Sequence, residues 1–141
     1  MTPESIHKEM FAAWNARDFE RLRGMLHPQY SFTGPDGIEH PGMDAAMAVA
    51  QMYASAFPDA RVTVDQVHTA GSIAIAECTG SGTHGGNFMG HAATNRPVMT
   101  KICNIVEIRN GLVYREREYL DIAGMLAQIG ALQLPERAAG A

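Results

Sequence analysis

Apolar positions recur at helical spacing through the first part of the chain and at a spacing of two after it. Ile6, Met10, Ala13 and Trp14 predict a first helix. Thr2-Pro3-Glu4 starts it with a capping hydroxyl, a proline at the first helical position and a carboxylate near the positive end. Asp18 caps a second, short helix carrying Phe19, Leu22, Met25 and Leu26, and His27-Pro28 ends it. A short strand follows over 30–33, then a turn at Gly34-Pro35-Asp36-Gly37. Met47, Ala50, Ala54 and Phe57 stripe a third helix over about 43–57, which Pro58 ends. The alternating segments predict strands over 61–68, 72–84, 98–109 and 112–121, and a short helix over 122–132. Asn110-Gly111 is the strongest hairpin signal in the chain. Helices gathered on one side of an antiparallel sheet make an α+β fold. The pattern shows one domain over 1–134 and a frayed tail over 135–141.

The Asn110-Gly111 turn sets a register. Arg109 opposite Leu112 puts Asn104 opposite Arg117, Ile102 opposite Tyr119 and Thr100 opposite Asp121. One face then carries Ile102, Asn104, Val106, Ile108, Val113, Tyr119 and Asp121, and should meet the helices. The other carries Lys101, Glu107, Glu116 and Glu118 with Cys103 and Ile105. A carboxylate at Asp121, among apolar neighbours, needs a partner or a raised pKa, which suits a general acid or base. One bulge would exchange the two faces. The inward pair Arg115 and Arg117 is awkward: either the arginines reach a rim, or the strand is bulged.

Composition narrows the function. The 141 residues are 46% hydrophobic and 18% charged, which excludes a disordered chain. The net charge of −4, without a basic block, argues against a nucleic-acid partner. Cys78 and Cys103 lie in apolar surroundings without zinc spacing and read as free thiols in a reducing compartment. The polar, amphipathic N-terminus is not a signal peptide, and no apolar run reaches membrane-spanning length, so a cytoplasmic location is expected. The segment Gly82-Thr83-His84-Gly85-Gly86-Asn87-Phe88-Met89-Gly90 leaves a strand, and no lysine follows, so it is not a phosphate loop. His84 and His91 lack a third ligand at useful spacing, so no metal is expected. The rim of a pocket fits the glycines, with an exposed hairpin histidine as the plain alternative.

The order of elements resembles the SnoaL-like polyketide cyclases of the nuclear transport factor 2-like superfamily. The resemblance rests on Ala13-Trp14-Asn15-Ala16-Arg17-Asp18, Ala56-Phe57-Pro58-Asp59, Gly82-Thr83-His84, Thr94-Asn95-Arg96-Pro97-Val98, Asn110-Gly111 and Leu120-Asp121 with the segment 123–130. It implies a conical, barrel-like curved antiparallel sheet wrapped over three N-terminal helices. It implies a homodimer through the sheet, and cofactor-free intramolecular aldol closure of an aromatic polyketide ester. Asp121 matches the family's acid/base aspartate, and His84 its pocket histidine. The early strand differs, with Phe32-Thr33 where the family often has an Asp-His-like pair. Arg117 stands where a tryptophan is frequent.

The expected site therefore has Asp121 and His84 as catalytic residues. Asn104, Tyr119, Arg117, Trp14, Tyr30, Phe32, Met47 and Cys78 would contact a small, apolar, polycyclic ligand, with no cofactor. Plain alternatives stand beside these roles: a helix N-cap for Asp121, a hydrogen-bonded core amide for Asn104 and a solvated strand residue for Arg117. Other chemistry on the same cone (isomerisation, dehydration, epoxide opening, cofactor-free oxygenation) and a non-enzymatic binding module remain open.

Overall fold

The computed structural model describes residues 1–135, so all but the first residue of the expected tail lies outside the described residues. Helix α1, Pro3–Asn15, begins where Thr2 Oγ1 accepts the Ser5 N–H at 3.1 Å. Asp18 caps α2, Phe19–Gly24, in the same way through the Arg21 N–H. Strand β1, Leu26–Thr33, runs longer than the apolar pattern of 30–33 suggests, because its pairing with neighbours carries it through Pro28. A short strand β2, Glu39–Pro41, was not visible in the sequence and pairs with the end of β1. Helix α3 covers Met43–Ala56, β3 Arg61–Ala70, β4 Ile73–Thr83, β5 Pro97–Arg109, β6 Leu112–Leu120 and α4 Ile122–Gln128. Helix α4 stops short of the expected 132, turning at Gly130 with φ +80°.

The six strands form one curved, open sheet in the order β2-β1-β6-β5-β4-β3. Every neighbouring pair is antiparallel except β1 with β6, which is parallel. The sheet is thus mixed at one edge, where a wholly antiparallel one was expected. The helices cover its inner face. One core cluster joins Ile6, Met10 and Ala13 of α1 and Met47 and Ala50 of α3 to Tyr30, Ala74, Val106 and Val113 of the sheet. A second, with Phe57, Phe88, Val98, Met125 and Ile129, closes the other end around α4. Truncating one of these larger core side chains to alanine costs about 2–5 kcal/mol. Among the described residues, no helix is long and apolar enough to cross a membrane.

The β5–β6 hairpin decides where the site lies. Asn110 and Gly111 take φ +53° and +74°, as a tight primed turn requires. The expected register holds for Arg109 with Leu112 and Ile108 with Val113. Tyr114 is then left unpaired, and the ladder resumes one residue later, with Glu107 opposite Arg115 and Asn104 opposite Glu118. This bulge turns the rest of β6 over. Its cause is long-range packing. The Tyr114 ring lies between the Arg109 and Arg115 guanidinium groups, 3.7 and 3.8 Å from its centroid, with His27 edge-on at 5.2 Å. Arg115 Nη1 donates to the Gln29 carbonyl of β1 at 2.6 Å. Glu116, Glu118 and Leu120 therefore face the helices, and Arg115, Arg117 and Tyr119 face away. This reverses the expected faces of β6.

Candidate active site

Between the inner face and the helices lies a cavity of about 150 Å³, open to solvent on one side. Its walls are almost wholly apolar: Met10, Phe11 and Trp14 from α1, Met47, Ala50 and Tyr53 from α3, Tyr30 and Phe32 from β1, and Ile102 and Leu120 from the sheet. Two carboxylates, Glu116 and Glu118, also line it. They stand two residues apart on β6 and so share a face.

Asn104, fully buried on β5, holds both. Its Nδ2 donates to Glu116 Oε2 at 2.8 Å and to Glu118 Oε2 at 3.1 Å. The Tyr30 hydroxyl donates to Glu116 Oε1 at 2.6 Å. On its other side, Asn104 Oδ1 meets His7 Nε2 at 2.7 Å. Among the described residues neither glutamate has a salt-bridge partner. Burial therefore pushes both carboxyls upward. In Glu116 the hydrogen bonds from Tyr30 and Asn104 oppose the rise. Glu118 also feels the charge of Glu116, with the Asn104 contact opposing, and is pushed up to about 7. Two buried carboxyls this close titrate as a coupled pair.

Burial, and next the charge of Glu118, raises the pKa of Tyr53, so its hydroxyl stays a neutral donor. That hydroxyl makes no hydrogen bond to the described residues. No three His, Cys, Asp or Glu side chains converge as a metal-binding set among the described residues.

The expected site residues divide into two groups. Trp14, Tyr30, Phe32 and Met47, expected to contact a ligand, line the cavity. Asn104 faces inward as predicted, but beneath the carboxylates and opposite Glu118 rather than Arg117. Arg117 and Tyr119 lie on the outer face, Tyr119 53% exposed, because of the bulge at Tyr114. Asp121 is exposed at the N-terminus of α4, where its Oδ1 accepts the Gly124 N–H at 2.8 Å. It is the helix cap foreseen as its plain alternative. Cys78 faces inward but lies buried in the packing between sheet and α1 rather than on the cavity wall, and burial pushes its thiol up to about 12. His84 is neither a cavity residue nor an exposed hairpin histidine. It is fully buried behind Phe57, with ring centroids 5.8 Å apart. Its Nδ1 accepts the Thr94 N–H at 3.3 Å and meets the Thr94 hydroxyl at 2.9 Å, so it latches the β4–β5 connection.

The sequence reading missed Glu116, Glu118 and His7 as site residues. Arg115-Glu116-Arg117-Glu118 alternates in charge, so periodicity alone cannot say which pair faces in. The improbability of two inward arginines was the available signal, and it pointed to the bulge.

The six-stranded curved sheet with helices packed on its inner face is the architecture of the nuclear transport factor 2-like fold class. Solved structures share the fold. IdmH from Streptomyces antibioticus, a polyketide cyclase candidate, is 27% identical with a TM-score of 0.83, covering 92% of this chain and 99% of its own. TsrD from Streptomyces laurentii is 29% identical with a TM-score of 0.80, covering 92% and 95%. AclR from Streptomyces galilaeus, a hydroxylase candidate, shares the fold at 23% identity and a TM-score of 0.82, over 93% and 97%. No curated protein matches the sequence. The chain belongs to the SnoaL-like polyketide cyclase family, whose model matches residues 5–129.

Proposed function

We propose that this protein closes a ring in an aromatic polyketide ester by a cofactor-free intramolecular aldol step, with Glu118 as the proton-transfer group. The observation that carries this reading is the carboxylate pair, Glu116 and Glu118, lining an otherwise apolar cavity, where burial raises the proton affinity of both. Glu118 takes the place that the family resemblance assigned to Asp121, because Glu118 lines the cavity and Asp121 does not.

Ionised Glu118 removes an acidic proton from a carbon next to a carbonyl, leaving an enolate. The enolate carbon bonds to a second carbonyl carbon, whose oxygen becomes an alkoxide. That oxygen takes the proton back from Glu118, so the step is balanced without an oxidant or other reactant. Tyr53 is the donor for the developing oxyanion. Glu116, anchored by Tyr30, keeps a negative charge beside Glu118 and so strengthens it as a base. The apolar walls hold the two carbonyl carbons close together, which lowers the entropic part of the barrier.

The test is turnover of a panel of aromatic polyketide esters, read by mass spectrometry and NMR of the product ring. Glu118→Gln should lower it by about 10²–10⁴-fold. Undiminished turnover in Glu118→Gln sinks the reading. The same acid pair also favours a second reading, a carbon-to-carbon proton shift. A product with the double bond moved and no new ring would identify it.

The outer sheet face supports a homodimer. Tyr119 and Met99 are 53% and 61% exposed, beside half-buried Ile75, Cys103 and Ile105. Tyr119→Lys should then convert a dimer to a monomer in light scattering. A monomeric parent protein would remove this proposal.

A further inference from the structure

His7 is a fully buried imidazole on α1, 97 residues from the amide it touches. An amide offers two N–H donors on its nitrogen and lone pairs on its oxygen. Both donors of Asn104 go to carboxylates, which only accept when ionised. Asn104 Oδ1 must therefore face the other way, where His7 Nε2 meets it at 2.7 Å. An oxygen there can only accept, so Nε2 carries the hydrogen. His7 Nδ1 then holds a bare lone pair, buried and without a partner among the described residues.

The missing partner at Nδ1 selects this tautomer. Turning the Asn104 amide over would point its oxygen at two carboxylates. It would also oblige Nε2 to accept, moving the hydrogen to Nδ1, which meets no acceptor among the described residues. A buried N–H without an acceptor is the costlier error. A second proton on the ring meets the same obstacle, and burial lowers the pKa of His7 accordingly. The ring is held in place by Phe11, stacked at 5.4 Å and 29°, and Phe11 itself lines the cavity.

We propose that His7 is a positioning residue for this site: its Nε2–H holds the Asn104 amide with both N–H bonds turned to Glu116 and Glu118, keeping the pair able to lose its last proton. The consequence for turnover rests on Glu118 being the proton-transfer group. The arrangement of the network does not. The other titratable groups facing it are Tyr30 from β1, Tyr53 from α3 and Cys78 from β4, with Arg61 of β3 on the cavity lining.

The test is carbon-detected NMR titration of the glutamate carboxyls in the full chain. In His7→Leu the midpoint of Glu116, Glu118 or both should rise by about one pH unit, a tenfold gain in proton affinity. His7→Gln, which keeps an N–H donor of similar reach, should restore the parent curve. Midpoints within about 0.3 pH unit of the parent in a folded His7→Leu overturn the proposal. If His7→Leu does not fold, the nitrogen shifts of His7 in the parent protein decide. A neutral ring with hydrogen on Nε2 supports the assignment, and hydrogen on Nδ1 or a charged ring at neutral pH overturns it. Full turnover in Glu118→Gln would defeat the functional reading while leaving these titrations untouched.

Discussion

Glu118 and Asp121 lie three residues apart where β6 runs into α4, yet they live in different solvents. Glu118 projects into an apolar cavity, holds one 3.1 Å hydrogen bond from Asn104 and has a proton affinity raised to about 7. Asp121 sits in water and spends its oxygen on the Gly124 N–H. The residue types are nearly the same, and the environments give them different work. A carboxylate gains proton affinity by losing water without gaining a cation, and here the inward turn of a strand controls that loss.

Removing the bulged residue tests what holds the glutamates inward. Deleting Tyr114 takes out the extra residue and leaves Glu107 opposite Arg115 and Asn104 opposite Glu118 in an unbroken ladder, so both glutamates should still face the helices. The deletion should cost about 1–3 kcal/mol in thermal or denaturant melting, for the lost ring contacts to Arg109, Arg115 and His27. A molten or unfolded chain would mean that the inward faces of β6 depend on Tyr114 itself.

Catalysis sharpens the same contrast. Glu118→Gln should lose about 10²–10⁴-fold in turnover, whereas Asp121→Asn, which keeps a capping oxygen, should lose less than about twofold. The reverse ranking, measured on one substrate, would return the role to Asp121.

Stability against pH separates the two carboxylates without any substrate. Glu118 binds its proton more tightly folded than unfolded, so its contribution is fully present below about 4.5 and is lost as pH rises to about 7. The loss is at most about 3 kcal/mol, because the half-buried carboxyl is partly relieved by the open cavity. Denaturant melts between pH 4.5 and 7.5 should show this decline in the parent and a flatter curve in Glu118→Gln. Equal slopes would mean that Glu118 titrates normally.

The smallest effect belongs to the cap. Asp121→Ala should cost about 1 kcal/mol, and Asp121→Asn only a few tenths, in the same melts.

Much of the fold was legible because its signals are local. Thr2 and Asp18 cap helices where they stand, Asn110-Gly111 turns the hairpin, and the change from helical to alternating spacing separates the helices from the main strands. The short β2 has no such signal: three residues pair only because β1 is beside them. For the site, four residues of the apolar wall (Trp14, Tyr30, Phe32, Met47) could be named from the sequence. The acid pair could not.

By itself the sequence determined an α+β chain of this family, its helix starts, its hairpin and an inward Asn104. Only the tertiary structure decided which charges Asn104 meets. Tyr114 is held in its bulge by Arg109, Arg115 and His27, and Arg115 in turn by the carbonyl of Gln29; His27 and Gln29 come from β1, far away in the chain. His7 reaches Asn104 for a similar reason, since α1 packs across the inner face of β3, β4 and β5. Local preferences are written in neighbouring residues. A one-residue shift of register costs little locally, so it is settled by contacts between distant parts of the chain.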